Sequence, residues 1–202
     1  MHDDTTHIQN TIVDLLDEAY DGRLEHARIY LKEYCPDYVR ACKASILLGE
    51  ELDETISQDT RLPFKKFYAT KLKLLKFSGW HCYLSGRIAA LAGIRNGVFV
   101  NPDTSTKSEL FGLKRLNIGM EYGCYQSQLS EYEEQYLKAV PDEQKILFRQ
   151  FSNSLDTVYG HIWDMMYLMG FDSLLESPDL APSDRRLLLR NSDKLREYFA
   201  IE

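Results

Sequence analysis

The chain has 202 residues, 44% hydrophobic and 27% charged, a composition that excludes a disordered polypeptide and leaves enough apolar side chain to bury a core. Its formal charge is −7, and no run reaches the roughly 18 apolar residues of a membrane span; the longest candidate, Phe77 to Val100, is broken by His81, Arg87 and Arg95. The opening MHDDTTHIQN lacks both the basic and the apolar region of a signal peptide, so the expectation is a cytoplasmic protein with Cys35, Cys42, Cys82 and Cys124 reduced.

Helix signals dominate from the start. Asp3 or Asp4 caps a helix with Ile8, Ile12, Leu15, Leu16 and Ala19 at helical spacing, and Asp21-Gly22 stops it. A second helix runs from about Arg23 to Tyr34 and ends at Cys35-Pro36, because the residue before a proline is pushed out of the α region. Pro36 opens a third, carried by Val39, Cys42, Ile46 and Leu52 to about Ser57. The turn Thr60-Arg61-Leu62-Pro63 predicts the start of a long helix from Phe64 to about Ile94. Residues 95–103 read as an irregular connection, with Asn96-Gly97 and Asn101-Pro102 as turn signals and a stub of strand at Val98 to Val100.

The capping box Thr106-x-x-Glu109 opens the next helix, whose stripe is Ile118, Tyr122, Tyr125, Leu129, Tyr132 and Tyr136. Pro141 serves as the first residue of another, followed by Asp142 and Glu143 in the first turn, where negative charge suits the helix dipole. There Phe148, Phe151, Leu155, Val158, Ile162, Met165 and Met169 alternate steps of three and four, the seam of a helix packed lengthwise on its neighbours. Residues 173–182 form a loop, and Ser183-Asp184 caps a last helix through Leu187, Leu188, Leu195 and Phe199. The expected fold is an all-α single-domain bundle of about seven helices, three of them long. It divides into acidic N-terminal helices (1–58), a three-long-helix core (63–171) and a C-terminal helix (183–199).

Charge is segregated along the chain. Residues 1–60 hold 14 Asp/Glu against 5 Lys/Arg, residues 61–120 hold 2 against 11, and residues 121–202 hold 15 against 8. The balances are therefore −9, +9 and −7. One reading is internal neutralisation between adjacent helices. The other is a basic face for an anionic partner and an acidic face for a cationic one.

Lys65, Lys66, Lys73 and Lys76 share one broad helical face and are the candidate contacts for an anionic partner. The low isoelectric point, near 5.3, speaks against nucleic acid. Of the 13 tyrosines, Tyr122, Tyr125, Tyr132 and Tyr136 form a regular row, either core or interface. Gly79, Gly86 and Gly93 repeat every seven residues, which suits close helix packing or a small-ligand pocket near Gly79, Gly86 and Trp80. His161-x-x-Asp164 is the nearest approach to a helical metal pair and reads better as an interhelical hydrogen bond. No metal and no cofactor is expected.

The segment Lys76-Phe-Ser-Gly-Trp-His81-Cys-Tyr83 places a cation, an imidazole and a phenol within about two helical turns. It resembles the Arg-x4-His-x-Tyr motif of the HEPN superfamily of helical ribonucleases and nucleotide-transferring toxins. The likeness covers eight of 202 residues and has Lys76 where the family has arginine, and lysine lacks the planar bidentate fork of a phosphate clamp. The resemblance implies catalytic or phosphate-binding roles for His81 and Lys76, with Tyr83 beside them. Read as residues alone, Trp80 and Tyr83 pack in the bundle and His81 bonds locally. The leading expectation is a non-catalytic protein that binds another protein, or a second copy of itself. By analogy of composition, it would be a bacterial immunity- or antitoxin-type inhibitor of a basic toxin. A HEPN-like nuclease or nucleotide transferase, and a small-ligand-binding bundle, stand as alternatives.

Overall fold

A computed structural model describes residues 22–96 and 119–201, with side chains described for 22–95 and 123–201. Among the described residues the chain is all-α and contains no strand. Six helices follow one another: α1 (22–34), α2 (Pro36–Thr55), α3 (Gln58–Asn96), α4 (Gly119–Ala139), α5 (Asp142–Asp172) and α6 (Pro182–Tyr198). A single 3₁₀ turn, Ser173–Glu176, links α5 toward α6. The expected helix before Gly22, the strand stub at Val98 to Val100, the Thr106–Glu109 capping box and the side chains of Ile118 and Tyr122 lie outside the described residues.

Prolines set several of the boundaries. Cys35 alone separates α1 from α2: its N–H closes α1 on the Leu31 carbonyl at 2.8 Å, and its extended backbone leads into Pro36. Pro141 precedes α5 as its N-cap rather than forming its first residue, and its carbonyl accepts the Lys145 N–H at 3.1 Å. Pro182, not the expected Ser183-Asp184 pair, opens α6.

At Pro63 the expectation of a turn is corrected. The helix begins five residues earlier, at Gln58, and carries Pro63 inside it. Ser57 and Thr60 build its first turn. The Thr60 hydroxyl donates to the Ser57 carbonyl at 3.2 Å, and the Arg61 N–H donates to the same carbonyl at 3.0 Å. The bond that proline forgoes belongs to the carbonyl of Asp59, at the exposed start of the helix, so the ring costs less there than in the interior.

α3 has 39 residues and α5 has 31, about 58 Å and 46 Å at 1.5 Å per residue. The two run parallel, as a ladder of contacts shows. The rings of Phe67 and Phe148 lie 4.6 Å apart, Lys71 Nζ reaches Asp156 Oδ2 at 2.8 Å, and Trp163 Nε1 donates to the Leu75 carbonyl at 3.0 Å. Further on, Gly86 abuts the backbone of Tyr167, and Gly170 abuts that of Tyr83. α4 returns antiparallel along α3, bringing Tyr136 to Phe64 and Tyr125 to Phe77. α2 lies antiparallel along α5 on another side, with Tyr38 near His161 and Gly49 against Phe151.

The core has two lobes. One gathers Leu52, Phe67, Tyr136, Phe148 and Phe151 where α3 and α5 begin. The other gathers Leu31, Tyr83, Met166, Phe171 and Leu188 where they end, closed by α1 and α6. The expected seam holds: Phe148, Phe151, Leu155, Val158, Ile162 and Met165 are buried, and Met169 is half-buried. Among the described residues no helix is long and apolar enough to cross a membrane.

Candidate functional site

His81 is 6% exposed, its ring 4.7 Å from that of Phe77, and among the described residues neither ring nitrogen has a hydrogen-bond partner. Burial holds its pKa below the ordinary histidine value. Tyr83 is buried on another side of α3, stacked on Trp80 and covered by the Arg23 guanidinium at 4.4 Å. Lys76 is exposed. The three residues of the HEPN-like segment are therefore not brought together: His81, five and two residues from the others, points to a different side of the helix, and Lys76 and Tyr83, seven residues apart, are separated by about two turns, roughly 10 Å.

Of the basic run, Lys65, Lys66, Lys73 and Lys76 lie on the outer surface of α3. Lys66 sits over the Tyr132 ring at 5.6 Å. Lys71, on the same helix, points elsewhere. It is 8% exposed, and its ammonium turns inward to Asp156.

Of the tyrosine row, the three members with described side chains, Tyr125, Tyr132 and Tyr136, pack on the chain itself. Tyr136 is fully buried against Phe64 and Phe148, and burial pushes its phenol up to about 12. Tyr132 and Tyr125 are half-buried, the first against the same core lobe and the second edge-on to Phe77. Of the glycine row, Gly79, Gly86 and Gly93 are all buried, and a methyl on Gly86 would overlap the Tyr167 carbonyl. Helix backbone fills that space. His161 faces Tyr38 edge-on at 6.3 Å, and burial lowers its pKa too. Among the described residues no group of three or more His, Cys, Asp and Glu is placed to hold a metal ion.

One surface escaped the sequence reading. Ile46, counted there among the inward positions of α2, is 59% exposed, and Leu47 beside it is 65% exposed. The face that α2 buries is instead Tyr38, Ser45 and Leu52, with Gly49 letting the Phe151 ring come against the helix backbone. Small residues at 45 and 49 thus rotate the helix away from its most aliphatic side. Four and seven residues beyond Ile46 and Leu47 stand Glu50, Glu51, Asp53 and Glu54, all exposed. Among the described residues none of these carboxylates has an ion-pair partner.

No family model, no curated protein and no solved structure matches the chain. The outward face of α2 offers an apolar centre and an anionic margin.

Proposed function

We propose that the chain acts without catalysis of its own, by binding a cationic protein through the outward face of α2. The observation that carries this reading is the exposure of Ile46 and Leu47 directly beside four carboxylates that have no ion-pair partner among the described residues. Exposed aliphatic area stabilises a complex when a partner covers it, by about 25 cal/mol per Å² before the costs of association. A margin of one charge sign speeds encounter with the opposite sign and disfavours other partners. An immunity- or antitoxin-type inhibitor of a basic toxin, working in the cytoplasm, has these requirements. The HEPN-like reading has no comparable support, with His81 inside the bundle and Lys76 on its surface. Nor does a ligand pocket at Gly86, where the α5 backbone fills the space.

The experiment places a photo-crosslinking side chain at position 47 of the full chain in its native host. A control position, Ile146, is likewise exposed but lies on α5. Position 47 is expected to trap one polypeptide of high isoelectric point in stoichiometric yield, and Leu47→Asp or the pair Glu51→Lys and Glu54→Lys to abolish its copurification. Retention of that partner by all these variants would overturn the proposal.

A further inference from the structure

The basic face of α3 is not used by the proposed function. It presents Lys65, Lys66, Ala69, Lys73 and Lys76 to solvent, and between Asp59 and Asn96 the helix contains no acidic residue. Among the described residues Lys65 and Lys73 have no ion-pair partner. The acidic face of α2 in the same molecule does not neutralise them. α2 lies along α5, has no extended contact with α3, and no described ion pair joins the two faces.

The two faces match in pattern. On α2, Leu47, Glu51 and Glu54 succeed one another at steps of four and three. On α3, Ala69, Lys73 and Lys76 do the same. Each triplet lies along one line of its helix, with axial rises of about 6 Å and then 4.5 Å. Laid side by side in parallel, the aliphatic Leu47 meets the small Ala69, Glu51 meets Lys73, and Glu54 meets Lys76. All six positions are exposed.

We propose that the occupant of the α3 face is a second copy of this chain, docked through the Leu47–Glu51–Glu54 line of its α2. The inference rests on the reading of α2 as a docking surface, and it adds a regulatory consequence. The α3 lysines stand in for the cationic partner, so self-association and partner binding compete for one face. The contact is heterologous, acidic face on basic face, and it adds copies with rising concentration rather than stopping at an isologous pair. Charge pairs at an exposed contact are screened by salt, whose Debye length falls from about 30 Å at 0.01 M to about 3 Å at 1 M.

Sedimentation velocity of the full chain at low and high salt tests this. The weight-average sedimentation coefficient is expected to rise with concentration at low salt and to return to the monomer value at high salt. Glu51→Lys with Glu54→Lys, and separately Lys73→Glu with Lys76→Glu, are each expected to stay monomeric alone. An equimolar mixture of the two variants is expected to associate, because each restores the sign the other lost. These positions are at the surface, so circular dichroism is expected to show native helix content in both variants. A wild type that stays monomeric at low salt, association that survives in either variant alone, or a mixture that fails to associate would each overturn the inference. The crosslinking result separates the two readings. Partner capture at position 47 without self-association removes this inference and leaves the proposed function standing, whereas self-association without capture does the reverse.

Discussion

Gly86 of α3 meets the carbonyl of Tyr167 on α5 so closely that no side-chain atom fits between them. One turn away the relationship is reversed, with Gly170 of α5 against the carbonyl of Tyr83 on α3. Two backbones pressed together leave nothing flexible to move aside. Gly86→Ala and Gly170→Ala are each expected to destabilise the fold by about 2 kcal/mol or more, since overpacking costs about 1–3 kcal/mol even where side chains relax. Gly160 lies on the same helix with nothing within 4 Å of its would-be methyl. Gly160→Ala is expected to stabilise by about 0.5–1 kcal/mol through helix propensity alone. Urea unfolding of the three variants reads the opposite signs directly.

Lys71 holds its ammonium inside the α3–α5 seam on the carboxylate of Asp156, which is itself 45% exposed on its side chain. The two ends of this pair are not equivalent. Asp156→Ala leaves a buried cation alone and is expected to cost about 2 kcal/mol, while Lys71→Met keeps the volume, removes the charge and is expected to cost less than half of that. Chemical denaturation at pH 7 checks the order, and equal losses would contradict it.

Burial lowers the pKa of both His81 and His161 in the folded state. Above the unfolded value, about 6.5, both states hold the neutral ring and no pH dependence arises from them. As pH falls below it the unfolded chain takes up protons that the folded chain refuses, so stability is lost on acidification. The melting temperature is expected to fall between about pH 7 and pH 5.5. His81→Leu is expected to flatten that fall and to leave stability at pH 8 equal or higher, because two unpartnered ring nitrogens leave the interior. A slope identical to wild type in His81→Leu would show that the ring is not the source.

The tyrosine row offers a graded test. Tyr136 is fully buried between Phe64 and Phe148, whereas Tyr125 is half-buried. Tyr136→Ala is expected to cost about 3–5 kcal/mol, the range for a large aromatic removed from a core. Tyr125→Ala is expected to cost less than half as much. Thermal unfolding under two-state conditions measures both.

What the sequence made legible follows from how local each signal is. The seam Phe148 to Met169 was readable because a long helix packed lengthwise repeats its contacts at a fixed step, and Pro36 because it fixes its own backbone. Pro63 misled because proline marks a helix start by position, and here it is the sixth residue of the helix, where Ser57 and Thr60 have already closed the first turn. Ile46 misled because burial depends on the partner that a face meets, and the same dependence decides where Lys71 points. An aspartate on α5 draws the lysine in, and Gly49 with Ser45 turns the isoleucine out. The partnership of Gly86 with Gly170 spans 84 residues, so no window along the chain contains both. The exposure of Ile46 and Leu47 on α2 follows from which side of that helix is buried, which no local pattern reveals.

The parallel course of α3 and α5 has an electrostatic consequence. Both helices begin at the end where α2 finishes, a junction fixed by the Gln144 amide donating to the Thr55 carbonyl at 3.1 Å. Each helix start carries about half a positive elementary charge from its unsatisfied N–H groups. The last turns of α2 hold Glu50, Glu51, Asp53 and Glu54 and no basic residue, an arrangement that opposes that helix's own dipole. Two neighbouring positive poles offset one negative pole, so this crowd of carboxylates is tolerated without an ion pair among the described residues. One end of the molecule is thereby an anion-stabilising pole built from backbone. Neutralising Glu54 to Gln is expected to weaken the fold slightly at low salt, although that side chain has no ion-pair partner among the described residues.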